Sequence, residues 1–200
     1  QETLGERSPL QGMPLVSYAD LLRETNRLDE AVNYAQQGIA YCQLWQPMAS
    51  MDGWLTLARL EAGRKNWEAC LQYFEQAIQT AEHTETFLDD TFVTVQRVHA
   101  HLLEGDVASA ERWLKLHNVK EALPVMYTHL GDMAKLTFLR AELLRAECNP
   151  DDIAAELMEL RAKLEERERT SALTEAWILT AYASDLADKT DQAAAALNQA

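Results

Sequence analysis

The residues that could carry out acid–base, nucleophilic or metal chemistry are plentiful, with 32 carboxylates, five histidines and three cysteines among 200 residues. Their spacing argues against each chemistry in turn. His99 and His101 look like a metal pair, but two positions apart on a helix point about 200° apart and cannot reach one ion. His83, His117 and His129 are isolated, and no HExxH, CxxC or helical His-x-x-x-His occurs. Ser17, Ser50, Ser109, Ser171 and Ser184 lack the glycine-framed strand-to-helix turn that exposes a nucleophile. Cys70 stands where a small core residue is needed, so a buried, inert thiol is expected there. The Glu165–Arg169 run reads as a solvated helix end with local ion pairs. No catalytic residue, metal site or cofactor is therefore expected.

What remains is recognition by rings and charges, and those groups need a scaffold. Trp54, Trp67, Trp113 and Trp177 could stack on a ligand, but each falls at a core position of a repeat, where aromatics pack. Trp45 falls outside that skeleton, and both roles stay open for it.

The scaffold is visible as internal repetition. Trp54, Leu57 and Ala58 precede a polar turn, Lys65-Asn66, and then Cys70, Phe74 and Ala77. An earlier copy has Leu15, Tyr18, Ala19 and Leu22, the turn Asn26–Glu30, then Ala31, Ala35 and Gly38. Later copies centre on Ala110, Ala154 and Ala193. The anchors Ala31, Cys70, Ala110, Ala154 and Ala193 stand 39, 40, 44 and 39 residues apart. This resembles the tetratricopeptide pattern, in which small residues let two helices approach and a large one fills the gap, with a beat longer than the usual roughly 34 residues. One hairpin cannot bury its apolar face alone, so copies must stack.

The expected fold class is all-α, a right-handed superhelix of about five antiparallel helical hairpins. The helices are predicted over 12–24, 28–44, 48–62, 66–83, 86–104, 107–116, 128–147, 150–168, 171–187 and 190–200. No segment alternates with period two, so no sheet is expected. Asn26, Asn66, Asp106 and Asn149 are expected at helix-to-helix turns, satisfying free amides. Pro150 suits the first turn of a helix. Residues 1–11 read as a frayed end and 117–127 as the longest irregular stretch. Residues 12–200 read as a single repeat domain, cut within its last helix.

Composition narrows the partners. A net charge of −14 repels phosphate backbones and anionic lipid, so no direct nucleic-acid or membrane binding is expected. No apolar run nears the roughly 20 residues that span a bilayer. Three widely spaced cysteines build no disulfide framework, and with no signal peptide visible a cytoplasmic location is expected.

Helical solenoids usually bind along the surface lined by the first helix of each pair. One helical turn from the core anchors, that stripe is Met13, Val16, Asp20 and Arg23 in the first copy. The second copy contributes Asp52, Leu55, Arg59 and Ala62, and the third Phe92, Val95, His99 and Leu102. The last contributes Glu175, Ile178, Tyr182 and Asp185. Asp20, Arg23, Asp52, Arg59, His99, Glu175 and Tyr182 are the candidate ligand-binding set. Mixed charge with aromatics suits a polar ligand or a peptide, whereas a merely solvated face would look much the same.

One family resemblance covers most of residues 12–200 in order. The run Leu21-Leu22-Arg23-Glu24-Thr25-Asn26-Arg27-Leu28-Asp29-Glu30-Ala31 resembles the start of the helical repeat region in MalT-like, ATP-dependent LuxR-type transcription regulators. Similar too are Leu57-Ala58-Arg59-Leu60, Leu102-Leu103-Glu104-Gly105-Asp106 with Ala110 and Trp113, and Thr174–Leu179. The resemblance implies an effector-binding sensor and protein-interaction domain that is not itself catalytic. It implies a small-molecule effector or regulatory protein as partner, and self-association of the full-length regulator. DNA would be read by a C-terminal helix-turn-helix lying outside this sequence. No GxxxxGK[ST] phosphate loop occurs here. The other reading is a free-standing tetratricopeptide-like scaffold that binds peptide or protein partners.

Overall fold

The computed structural model describes residues 9–45, 47–82, 87–116, 128–145 and 147–200. Most of the predicted frayed end and the predicted irregular stretch 117–127 lie outside the described residues, as do the side chains of Trp45 and Phe92. Every described element is helical. After a 3-10 turn at Pro9–Gln11 come α1 Gly12–Glu24, α2 Leu28–Trp45, α3 Ser50–Gly63 (preceded by a 3-10 turn, Pro47–Ala49), α4 Trp67–Glu82, α5 Phe87–Glu104, α6 Val107–Leu116, α7 Thr128–Leu143, α8 Pro150–Glu166, α9 Thr170–Leu186 and α10 Thr190–Leu197. The chain is an all-α, tetratricopeptide-like repeat, and it forms two compact units, 1–104 and 105–200.

In the first unit, α1 pairs with α2, α3 with α4, and α3 packs on both helices of the first hairpin. Its core joins Ala19, Leu22, Ala31, Ala35 and Ile39 to Leu57 and Leu60 of the next hairpin. The small residues do what the repeat requires. A Cβ added at Gly38 would stand 2.7 Å from Val16 Cγ2 and 2.9 Å from the Val16 backbone nitrogen, so α1 and α2 touch backbone to side chain there. In the second unit α9 packs against α8, α10 and α7. Its core is leucine-rich: Leu136, Leu139, Leu143, Leu157, Leu164 and Leu179 among others. The anchors Ala31, Cys70 and Ala110 are fully buried and Ala193 nearly so, while Ala154 is partly buried.

The turns refine the sequence reading. Asn26 does not cap with its side chain; it takes φ 59°, the left-handed conformation that ends a helix. The Arg27 amide then bonds the Leu22 carbonyl at 2.8 Å and the Asn26 amide that of Arg23 at 3.0 Å. In the second copy Lys65, not Asn66, takes this conformation, and Asp188 does so in the last. The Asn66 side chain instead donates to Glu61 Oε2 at 2.7 Å. Asp106 and Asn149 do accept amides, from Ser109 at 3.0 Å and Asp151 at 3.2 Å. α7 ends at Leu143, short of the predicted 147. The residue before Pro150 is driven out of the helical region, and Asn149 is extended (φ −100°, ψ 98°).

Ion pairs tie one hairpin's turn to the start of the preceding second helix. They are Arg64–Asp29 at 3.2 Å, Arg145–Glu111 at 2.7 Å and Lys189–Asp151 at 2.6 Å. Each is surface-exposed and worth at most about 1 kcal/mol, so they set register more than stability.

Burial pushes the Cys70 thiol from 9.0 up to about 11, helped by Glu104 and Glu61 and opposed by Arg97. Because the folded chain holds the neutral thiol better than the unfolded chain does, this contribution is complete below pH 9. It is lost as the pH climbs through 11. Urea unfolding of the wild type should therefore lose about 2–3 kcal/mol more across that window than Cys70→Ala does. Parallel pH profiles for the two chains would contradict this.

Candidate binding site

In the first helices of the repeats one sequence position recurs six residues before the left-handed turn residue. Counted back from the left-handed turn residue, that position holds Asp20 in α1, Arg59 in α3, His99 in α5 and Tyr182 in α9. The predicted stripe thus follows fixed sequence positions within each repeat. Part of it is core rather than groove: Val16, Leu55, Val95 and Leu102 are buried. They sit one turn from the charged positions and turn into the hairpin stack, where apolar side chains are held.

In the first unit the structure gathers four of the candidates. Arg23 Nε donates to Asp20 Oδ1 at 3.0 Å, and the Arg23 guanidinium also pairs with Glu24. Arg59 Nη2 lies 3.5 Å from the same Asp20 oxygen. Arg59 Nε donates to the Leu55 carbonyl at 3.2 Å, one turn back on its own helix, which fixes the guanidinium over α3. Burial lowers the Arg59 pKa from its ordinary value; Asp20 raises it, Arg23 lowers it, and Asp52 and Glu24 raise it. Asp52, two turns earlier on the same face of α3, is thus within electrostatic reach. The result is a charged patch in which Arg23 and Arg59 share Asp20 across α1 and α3, with Glu24 paired to Arg23 and Asp52 further along α3. Only 28% of the Arg59 side chain is exposed, against 37% for Asp20.

The asymmetry of that pair has a measurable consequence. Asp20→Asn leaves the partly buried Arg59 facing Arg23 without its nearest counter-charge, and should destabilise the chain by up to about 1 kcal/mol. The check is urea unfolding at low and high salt: the loss should shrink as salt screens the arginines.

His99 is half-buried on α5. In the second unit, Glu175 accepts from Arg140 Nη2 at 3.0 Å, joining α9 to α7 as Arg59 and Asp20 join α3 to α1. Tyr182 is 39% exposed on the same helix as Glu175. Sequence reasoning missed Arg140 because the interval around the fourth copy is 44 residues, which breaks the register used to trace the stripe. Its signal was an arginine 35 residues before a candidate glutamate, the same interval that separates Asp29 from Arg64.

Trp54, Trp67, Trp113 and Trp177 are half-buried. The ring of Trp54 stacks near Tyr73, with centroids 6.0 Å apart and planes at 22°. Trp177 carries the Arg161 guanidinium at 3.7 Å from its ring centre, so that face of the indole is occupied. Beside Trp54 and Tyr73 opens a cavity of about 290 Å³, with Gln36, Ile39, Gln43 and Leu57 in its walls. It lies on the side of the second helices and is uncharged, unlike the patch on α1 and α3. Among the described residues, no helix is long and apolar enough to cross a membrane.

Compared with models of protein families, residues 1–200 match the MalT-like TPR region. No curated protein and no solved structure matches the chain.

Proposed function

The chain belongs to the MalT-like TPR region family, and from that premise we propose that it is the non-catalytic effector-binding and protein-interaction domain of an ATP-dependent LuxR-type transcription regulator. The observation that carries this reading is the patch of Asp20, Arg23, Asp52 and Arg59. Two arginines and two aspartates from neighbouring repeats are held on one face, with Arg59 only partly hydrated. A fixed guanidinium that has lost some of its water binds a planar anionic or strongly polar group more tightly than a fully solvated one. The carboxylates beside it accept from hydroxyl or ammonium groups. The favoured ligand is therefore polar and rich in both donors and acceptors, and either a small effector or the charged segment of a regulatory protein.

Such a ligand bridges α1 and α3 and so favours one packing of the first two hairpins. That is how binding shifts self-association of the regulator: the ligand prefers one of two arrangements, and the population follows. The module reads no DNA in this scheme, and a helix-turn-helix elsewhere in the regulator does so. Its working place is the cytoplasm, where such regulators meet both effector and promoter.

The test is calorimetric titration with sugars, sugar phosphates, amino acids and short acidic and basic peptides, run beside affinity capture from cell extract. A saturable polar ligand whose binding weakens with salt supports the reading. Failure of every ligand in the panel, together with no captured protein or metabolite, contradicts it.

A further inference from the structure

Two tryptophans of the chain hold equivalent positions, and their surroundings differ in one respect. The buried face of α2 is Ala31, Ala35, Gly38 and Cys42, and that of α8 is Ile153, Leu157, Leu160 and Leu164, with the same spacing of four, three and four. Ile39 and Arg161 are therefore equivalent, and so are Gln43 and Glu165. In the helices that follow, Trp54 and Trp177 each stand eleven residues before a left-handed turn residue, Lys65 and Asp188. Each indole thus belongs to a first helix that packs on the second helix of the preceding hairpin.

In the second unit the chain covers its indole itself. The Arg161 guanidinium lies 3.7 Å from the centre of the Trp177 ring. Its Nε and Nη1 are buried and make no hydrogen bond among the described residues, so the ring face is what holds them. Burial pulls the Arg161 pKa below its ordinary value, and Glu165, one turn further on, opposes that shift. In the first unit the equivalent residue is Ile39, which carries no flat cation to lay on the ring. Trp54 instead borders the cavity of about 290 Å³, with Ile39 in its wall. Tyr73 adds a second ring, and the exposed Gln36 and Gln43 bring amide oxygens. The negative faces of the two rings and the amide acceptors all favour a cation that carries N–H donors. A net charge of −14 draws cations toward the chain as well. The volume is at the small end of the roughly 300–1,000 Å³ of small-molecule sites, so it suits a single side chain or a molecule of that size.

We propose that the cavity walled by α2, α3 and α4 binds a guanidinium group, stacked on Trp54 as Arg161 is stacked on Trp177. The group belongs to a small arginine-like molecule or to an arginine side chain of another protein; the chemistry recognised is the same. Gln36 and Gln43 accept from its N–H groups, and Tyr73 closes one side. The cavity is separate from the Asp20–Arg59 patch, and its binding does not depend on what that patch binds.

Nuclear magnetic resonance titration of the whole chain tests it, followed at the tryptophan indole N–H signals. The Trp54 signal is assigned by its loss in Trp54→Leu. N-acetylarginine amide should move that signal saturably, with a Kd on the order of 1 mM, as expected of one stacked cation. N-acetylcitrulline amide, equally flat but uncharged, should bind at least about 5-fold more weakly. Gln43→Glu recreates the carboxylate that Glu165 sets beside Arg161, and should tighten the arginine probe about 2- to 5-fold. Gln43 is exposed, so this variant tests the site without disturbing the core, whereas Trp54→Leu should abolish binding but also touches the packing. A glycine pentapeptide with one central arginine separates the two sources: tighter binding than the amide assigns the group to a protein segment, and equal binding assigns it to a small molecule. An unmoved Trp54 signal, citrulline binding as tightly as arginine, or a Gln43→Glu chain that binds no better than the wild type would each overturn the proposal.

Discussion

Replacing Phe74 by alanine should destabilise the first unit by about 3–5 kcal/mol, the largest single-residue loss expected among the described residues. Phe74 is 1% exposed and is the largest fully buried side chain among the described residues. It occupies the second-helix position that Ala35 fills in the first copy. The second hairpin therefore uses a phenyl ring where the first uses a methyl group. A site built around a ring cannot collapse onto alanine without moving helices, so the cavity term adds to the lost transfer energy. A small domain has about 5–15 kcal/mol of total stability, so this is a large fraction of it. Hairpins in such arrays hold one another in place, so α1 to α5 should lose cooperativity together. Urea denaturation followed by the fluorescence of Trp54 and Trp67 in this unit should show a lower midpoint. Phe74→Leu, which keeps most of the volume, should cost markedly less. Equal losses for Leu and Ala would mean that the ring is not the packing element described.

The second large effect is on binding. Arg59→Met should weaken the polar ligand of the α1–α3 patch by about 10- to 100-fold, the equivalent of one charge-assisted hydrogen bond of about 1.5–3 kcal/mol. Stability should barely change. Arg59 is partly desolvated and faces the like charge of Arg23 as well as Asp20 and Asp52. Replacing a partly buried ion by an apolar residue of similar length is often neutral or mildly stabilising. Arg59→Lys keeps the charge but not the planar fork, and should fall between the two. Calorimetry on the three chains, with unfolding curves alongside, separates the effects. A variant that loses stability and affinity together would mark Arg59 as a structural residue.

Much of this fold is legible in the sequence because its cause is local. A small residue such as Cys70, four positions before Phe74 and seven before Ala77, states which helix face is in contact. The helices begin and end close to where turn and capping residues place them. The conformations of the turns are less legible. The left-handed position tolerates Asn26 and Asp188 readily, but the backbone also imposes it on Lys65, whose side chain gives no sign of it. The candidate patch was half legible. Asp20, Arg23, Asp52 and Arg59 follow from register alone, but that Arg59 and Arg23 share one oxygen of Asp20 depends on rotamers and helix crossing, which periodicity does not encode. The same holds for Arg161 over Trp177 and for the cavity beside Trp54 and Tyr73, where residues from three helices converge.

Amide hydrogen exchange with and without the strongest ligand found in the panel tests the central claim most directly. Added protection should centre on α1 near Asp20 and Arg23 and on α3 between Asp52 and Arg59, and should vanish in Arg59→Met. Protection centred instead on α2 and α4 around Gln36, Gln43 and Tyr73, and unchanged in that variant, would contradict it.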